Sequence, residues 1–237
     1  MDTALPVADC RAMKPSRTDP STAVVASAEA DADADALHDD RLMAAFARGD
    51  AQAFDQLYAR HEQALYRFVR RLLGRELAAQ ADEVFQDTWL RVVRARADYA
   101  PQGARFRTWL FTLAHHRAID LLRRSGRERS IGDDEDAPYL PSSEPWLDWP
   151  APRAASHDEA LFWRRAGERL LHCLDELPAA QRAVFLLHHE DEHTLAEIAR
   201  TLELGFETAK SRLRYAMDKL RLCMGAYLAP QALGRTQ

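Results

Sequence analysis

Phe54, Leu57, Tyr58, Leu65, Phe68, Val69 and Leu72 recur at three- and four-residue steps. A strand would alternate every second residue, whereas a helix repeats every 3.6, so this pattern buries one face only as a long amphipathic helix. Asp50, just after Gly49, is the expected N-cap, and Gly74 ends the periodicity. A second helix is expected from about Leu77 to Ala97 and a third from about Arg105 to Arg124. Between them "DYAPQGA" marks a loop through Pro101 and Gly103. No alternating β-branched stretch intervenes, so this part of the chain reads as one all-helical domain.

Helical periodicity returns from about Glu159. "LFWRRAGERLLHCLDEL" and "PAAQRAVFLLHHE" are amphipathic, and the second opens with Pro178 at a first-turn position. "TLAE" has the spacing of a capping box, Thr194 with Glu197, and starts a short helix running to Leu202. "ELG" then turns the chain into a last helix from about Phe206 to Met224. Two helices joined by so short a turn, the second basic, make a helix-turn-helix. Ala196, Ile198, Ala199, Leu202, Leu204, Ala209, Leu213, Ala216 and Leu220 form its apolar seam. Thr208, Lys210, Ser211, Arg212, Arg214 and Tyr215 are left outward, as types that suit a DNA groove. A solvated basic face on an ordinary helical hairpin explains the same spacing.

Residues 1–40 end in "EADADADALHDD", six acids with no Lys or Arg to oppose them, and are expected to be a disordered tail. Residues 125–158 hold five of the eleven prolines and the acids Asp133, Asp134, Glu135 and Asp136, so they read as a linker. Trp146 and Trp149 within it suit either packing on a neighbouring domain or anchoring a partner. No apolar run approaches the roughly 18 residues of a membrane span, and no secretion signal opens the chain. A cytoplasmic protein without membrane insertion is expected. Cys10, Cys173 and Cys223 are far apart, odd in number and in no C-x-x-C pair, which makes reduced thiols the simplest expectation.

Three further constellations bear on chemistry. In "ADEVFQDTWLRVV", Glu83 and Asp87 share one helical stripe and Asp82 and Gln86 the adjacent one. Such acids suit a solvent face or a basic protein partner, and no third ligand completes a metal site. "GARFRTWLFTLAHHRAIDLLRR" interleaves Phe106, Trp109, Leu110 and Leu113 with Arg105, Arg107, His116, Arg117, Arg123 and Arg124. This spacing suits a core, and equally a surface where unstacked bases lie on rings while guanidinium groups follow phosphates. "HHEDEH" sets His189 and His193 four apart but across a helix end, so it is expected to be a solvated polar turn rather than a zinc or metallohydrolase site. No phosphate loop, nucleophile elbow or catalytic carboxylate pair is present. No cofactor and no metal is expected.

"LMAAFARGDAQAFDQLYARHEQALYRFVRRLLG", "ADEVFQDTWLRVVRA", "FRTWLFTLAHHRAIDLLRR" and "LDELPAAQRAVFLLHHEDEHTLAEIARTLELGFETAKSRLRYAMDKLR" resemble, in order, the region 2 and region 4 segments of bacterial extracytoplasmic-function (group 4) sigma factors. The resemblance implies an all-α fold of two small helical domains joined by a flexible linker: region 2 over 41–124, linker 125–158, region 4 over 159–228 and a tail 229–237. It implies a non-enzymatic specificity subunit that binds core RNA polymerase, on the clamp helices of its largest subunit and its flap region. Core contact would fall to Asp82, Glu83, Gln86, Asp87, Trp89 and Arg91. The melted −10 element would be held by Arg105, Phe106, Arg107, Trp109, His116, Arg117, Arg123 and Arg124. The duplex −35 element would be read by Thr208, Lys210, Ser211, Arg212, Arg214 and Tyr215. An anti-sigma factor is a common partner in that family. Members commonly carry Asn at the position of His116 and Gly at those of Glu192 and Glu203. The alternative is a stand-alone helix-turn-helix regulator that binds duplex DNA without polymerase and leaves the acidic stripe unused.

Overall fold

The computed structural model describes residues 37–99, 105–126, 157–189, 191 and 193–232. The expected tail up to residue 36 and nearly all of the expected linker, including Trp146, Trp149 and the acids from Asp133 to Asp136, lie outside them. The described residues contain helices and no strand. They are α1 (37–47), α2 (Ala51–Leu73), a 3-10 turn (Arg75–Gln80), α3 (Ala81–Arg94), α4 (Phe106–Arg124), α5 (His157–Asp175), α6 (Ala179–His189), α7 (Leu195–Thr201) and α8 (Phe206–Ala232).

The periodic stretch forms α2, and Asp50 caps it by accepting from the amides of Gln52 at 3.0 Å and Ala53 at 3.3 Å. Leu57, Leu65, Phe68, Val69 and Leu72 have no exposed surface. Each such side chain contributes roughly 1.5–3 kcal/mol of burial. Against this face pack α3 and α4, which also pack on each other. The expected second helix is divided. Gly74 takes φ 72° and ψ 180°, the 3-10 turn follows, and only Ala81–Arg94 is α-helical.

The acidic tail ends earlier than expected, because residues 37–40 begin α1 and their acids are structural. Asp39 is 3% exposed and accepts from Arg60 Nε at 2.8 Å, with His61 Nε2 at 2.7 Å. Burial opposes its charge, but His61 and Arg60 outweigh that and hold the carboxyl below its usual range. Asp40 accepts from the Tyr99 hydroxyl at 2.8 Å and from the Phe106 amide at 3.0 Å. It therefore caps α4 from a different helix, a role no local motif announces.

In the second module α8 packs along α5, α6 and α7. Cys173 of α5 and Cys223 of α8, expected as thiols, are joined in a disulfide with their Cα atoms 5.9 Å apart. Fifty residues separate them in the chain, and only the side-by-side packing of the two helices brings them into bonding range.

The two modules do not stand apart. α2 packs on α6 and α5, α4 packs on α7, and one apolar cluster runs from Leu57 and Phe111 through Leu186 to Leu220. Gly74 sits at this junction, where Arg182 donates to the Arg71 carbonyl at 3.4 Å and lies 3.6 Å from Asp175. A Cβ on Gly74 would meet Arg182 Nη1 at 2.7 Å and Asp175 Oδ1 at 2.9 Å. Gly74→Ala adds backbone strain to that clash and is expected to cost about 1–3 kcal/mol. Thermal unfolding would register this as a lowered Tm, and an unchanged Tm would contradict it.

Candidate nucleic-acid interface

The acidic stripe lies along the first turns of α3, where Asp82 and Glu83 also suit the positive helix end. Asp82, Glu83 and Gln86 are exposed and Asp87 is half-buried. Asp82 takes a hydrogen bond from Tyr66, which raises that phenol above its ordinary range. Glu83 and Asp87 both face Arg117 of α4, at 3.1 Å and 2.8 Å; the second contact is an ion pair outside hydrogen-bonding alignment. Asp87 also lies 3.3 Å from Arg91. Two residue sets assigned by resemblance to different partners are thus in direct contact. Trp89 stands apart from the stripe, 5% exposed among Phe54, Tyr58 and Phe85. It supports the α3 surface from beneath.

On α4, Phe106 has no exposed surface and packs on Tyr99, Trp109 and His61. Trp109 is half-buried with its ring 5.0 Å from Tyr99. Arg105 is half-buried, and Arg123 and Arg124 are exposed, Arg124 donating to the Asp120 carbonyl at 3.3 Å. His116 is exposed, with Nε2 3.8 Å from Glu203 of the helix-turn-helix. Arg107 turns the other way and donates to the Asp191 carbonyl of the second module. Beside it Thr112 donates to the Thr201 carbonyl at 3.0 Å, and Phe111 meets the His193 ring at 5.2 Å between centroids.

That contact overturns the reading of "HHEDEH" as a solvated turn: Asp191 and His193 are each 3% exposed, pressed against α4. Among the described residues no three His, Cys, Asp or Glu side chains are grouped to hold a metal ion.

The helix-turn-helix has the expected local chemistry. Thr194 accepts from the Glu197 amide at 3.3 Å while Glu197 accepts from the Thr194 amide at 2.9 Å. The turn closes through Leu204 N–H to the Ala199 carbonyl at 2.8 Å, with Glu203 at φ 54°. This is the left-handed conformation that glycine adopts most readily, and Glu203 holds one of the positions where the resembled family commonly has it. Ile198, Ala199, Leu202, Ala209, Ala216 and Leu220 are buried, Leu204 and Leu213 pack on the core, and Ala196, expected in the seam, is exposed. Thr208, Lys210 and Arg214 are exposed, and Ser211, Arg212 and Tyr215 are half-buried. Arg214 lies over the Tyr215 ring at 5.3 Å, and Lys210 is 4.0 Å from Glu207. The two arginine sets meet: Arg91, His115, His116 and Arg123 of the first module share a cavity of about 570 Å³ with Arg212.

Sequence reasoning missed the half-buried His115, whose Nδ1 is sealed from solvent, and the buried Asp191 and His193; no local pattern signals what covers them. Burial raises Asp191 to about 6, against the pull of Arg107, Arg67 and Arg71. Burial lowers His193 to about 4, Arg107 adding to the effect. Burial likewise lowers His115 to about 3, helped by His116, Arg212 and Arg123. Between about pH 4 and 6 Asp191 keeps a proton that an exposed carboxylate would release, so alone it favours the closed form, the packed arrangement of the two modules seen here, in acid. The two histidines stay neutral below about pH 6.5, where exposed imidazoles take up protons, and so oppose it. Two groups outweigh one, and the closed form loses stability as pH falls from about 6.5 toward 4. Small-angle scattering is expected to show the chain expanding between pH 7.5 and 5, for a loss of about 1–3 kcal/mol; constant dimensions would contradict the assignment.

Comparison with known proteins fits this layout. Residues 57–128 match the family model for sigma-70 region 2, and residues 173–222 match that for sigma-70 region 4. The chain is 33% identical over 186 residues to the ECF RNA polymerase sigma factor SigK of Mycolicibacterium vanbaalenii, spanning 78% of this chain and 89% of that protein. It is 33% identical over 180 residues to the ECF RNA polymerase sigma factor SigL of Mycobacterium tuberculosis, spanning 75% and 92%. Among solved structures, CnrH in complex with the cytosolic domain of CnrY superposes with a TM-score of 0.56 at 26% identity, over 80% of this chain and 98% of that one. With both regions matched in order and relatives aligned over most of their length, the chain belongs to the ECF family of RNA polymerase sigma factors.

Proposed function

We propose that this sigma factor, as a non-catalytic specificity subunit, docks on core RNA polymerase through the exposed acids of α3. It then holds melted −10 DNA along α4 and reads duplex −35 DNA with the outward face of α8. A group 4 assignment accords with regions 2 and 4 being separated by residues 129–172 alone. The division into region 2 over 41–124, linker and region 4 from 159 belongs to the same proposal, with α1 added to the first module. So does an anti-sigma partner, supported by CnrH having been captured with the cytosolic domain of CnrY.

The observation that carries the reading is the Arg117 contact. Glu83 and Asp87 neutralise an arginine of the proposed −10 face. A basic surface on polymerase that takes those acids releases Arg117 toward phosphate, so core binding and promoter binding become coupled. Phe106 and Trp89 act from within, as supports that shape the two faces.

The closed arrangement is a resting state in this account. A recognition helix needs its outward face clear to enter a major groove about 12 Å wide. Arg212 instead faces the first module, and Arg107 is held by Asp191. Promoter engagement therefore requires the modules to part, and polymerase supplies separate docking sites for them. Losing the shared apolar contact is offset by stacking of unstacked bases and by phosphate contacts, about 1–3 kcal/mol per base.

Run-off transcription with purified core enzyme on a genomic fragment library tests the function. Transcripts that require this chain are expected, whereas duplex binding without core and no initiation would favour the stand-alone regulator. Replacing both Glu83 and Asp87 by Lys is expected to reduce co-purification with core at least about tenfold while leaving the region 4 helices intact by circular dichroism. Arg214→Ala is expected to cost about 1–3 kcal/mol at one upstream base pair. An equal loss on every sequence would mark a phosphate contact instead.

A further inference from the structure

The run from Glu29 to Asp40 carries six acids, and the two that belong to the described residues are both seated on the first module. Asp39 meets Arg60 and His61, and Asp40 meets Tyr99 and the Phe106 amide. These contacts also fix a direction. Asp39 near the start of α1 lies on Arg60 and His61 of α2, while Phe46 near its end stacks on Phe54 at 4.9 Å, so the two helices run antiparallel. The N-terminal end of α1 therefore points along α2 toward its C-terminal half. There Arg67 and Arg71 follow Arg60 at steps of seven and four, which is one stripe of a helix, with Arg70 beside it.

That half of α2 forms one wall of a groove whose other wall is α5. Arg67, Arg70, Arg71 and Arg75 line the first wall, Leu171 and Leu174 the second. Arg67 and Arg70 are exposed, and neither has a hydrogen bond or an ion pair within 4 Å among the described residues. The nearby acids are engaged with several groups each. Asp191 attracts Arg67 and Arg71 from its buried position but is shared with Arg107, and Asp175 lies 3.5 Å from Arg75 and 3.6 Å from Arg182. Asp82 takes the Tyr66 hydroxyl. Across the groove Leu171 keeps 39% of its surface exposed.

We propose that residues 29–36 of this same chain, "EADADADA", dock in the groove, with Glu29, Asp31, Asp33 and Asp35 toward the α2 arginines and the intervening alanines toward Leu171. These residues lie outside the described ones, and their sequence and point of attachment carry the assignment. Acids at every second position share one side of an extended segment about 6.6 Å apart, close to the about 6 Å between residues four apart on a helix. Arg67 lies about 9 Å along α2 from His61 and Arg71 about 15 Å, whereas eight extended residues reach about 26 Å. Attachment beside Arg60 gives the segment a high effective concentration at the groove, so ion pairs that are weak individually suffice. The arginines belong to the first module and the leucines to the second. A seated segment bridges the two and restrains their parting, an autoinhibitory contact within the chain.

A double-mutant cycle on the full-length chain tests this, read by thermal unfolding at low and high salt, with sedimentation velocity for the oligomeric state. One arm neutralises the segment, as Glu29→Gln with Asp31→Asn, Asp33→Asn and Asp35→Asn. The other is Arg67→Ala with Arg70→Ala, both exposed side chains. Each arm is expected to lower Tm by about 2–4 °C at low salt, and the two combined by no more than one alone. The shift from the segment arm is expected to vanish by about 1 M salt. Arg48→Ala, at the opposite end of the α1–α2 hairpin, is expected to combine additively with the segment arm. A synthetic peptide of residues 25–36 is expected to bind the neutralised chain saturably, and the unaltered chain at least about fivefold more weakly because its own segment competes. Additive arms would leave the groove to an acidic partner from outside the chain and overturn the proposal. So would a segment arm without effect, equal peptide binding to both chains, or a dimer that the segment arm dissociates, which would give the groove to a second copy. None of these measurements involves polymerase or promoter DNA, so a failure here leaves the sigma-factor function standing.

Discussion

Helix α4 has two surfaces and two claims on them. Phe106, Leu110, Phe111, Ala114 and Ala118 fill the core of the first module, while Arg107, Thr112 and Phe111 also reach the turn and helix of the second. The same helix carries most of the residues suited to unstacked bases. On the proposed function a nucleic-acid strand and the second module compete for this helix of nineteen residues. The contact is partly polar and its buried titratable groups are imperfectly satisfied. On the proposed function this is the boundary that parts when promoter DNA is engaged.

The placement of charge follows from that boundary. The chain has a formal charge of −5, yet α4 and α8 turn arginines toward each other. Acids from neighbouring elements moderate the repulsion: Glu83 and Asp87 at Arg117, Glu203 at His116, and Asp120 within the cavity. Net charge governs long-range attraction, while binding follows the local patch, so an overall acidic protein can still present a basic groove. On the proposed function two of these acids, Glu83 and Asp87, are also those a basic polymerase surface would take.

Local signals were legible wherever a few neighbouring residues suffice. The Asp50 cap, the Thr194–Glu197 capping box, the helix after Phe206 and the seam through Ile198 and Ala209 depend on contacts within about one turn, and residue type and spacing encode those. The misreadings share a different cause. Asp39 and Asp40 resemble the end of an acidic tail until Arg60, His61, Tyr99 and the Phe106 amide come to meet them from afar in the chain. Asp191 and His193 read as a solvated turn because the surface covering them belongs to α4. Ala196 was placed in the seam by spacing, and the short α7 leaves it exposed.

By itself the sequence determined an all-helical chain, the position of its helix-turn-helix and the residue types that make it a sigma factor, because helix periodicity and capping are local properties. Only the tertiary structure decided that the two modules share one apolar cluster, that Cys173 meets Cys223, that Arg117 is shared between two faces, and that Arg91, His115, His116, Asp120, Arg123 and Arg212 line one cavity. Each of those depends on bringing residues tens of positions apart within a few ångströms. The free energy for that comes from burying faces against one another, and a single helix shows which face is apolar without showing what will cover it.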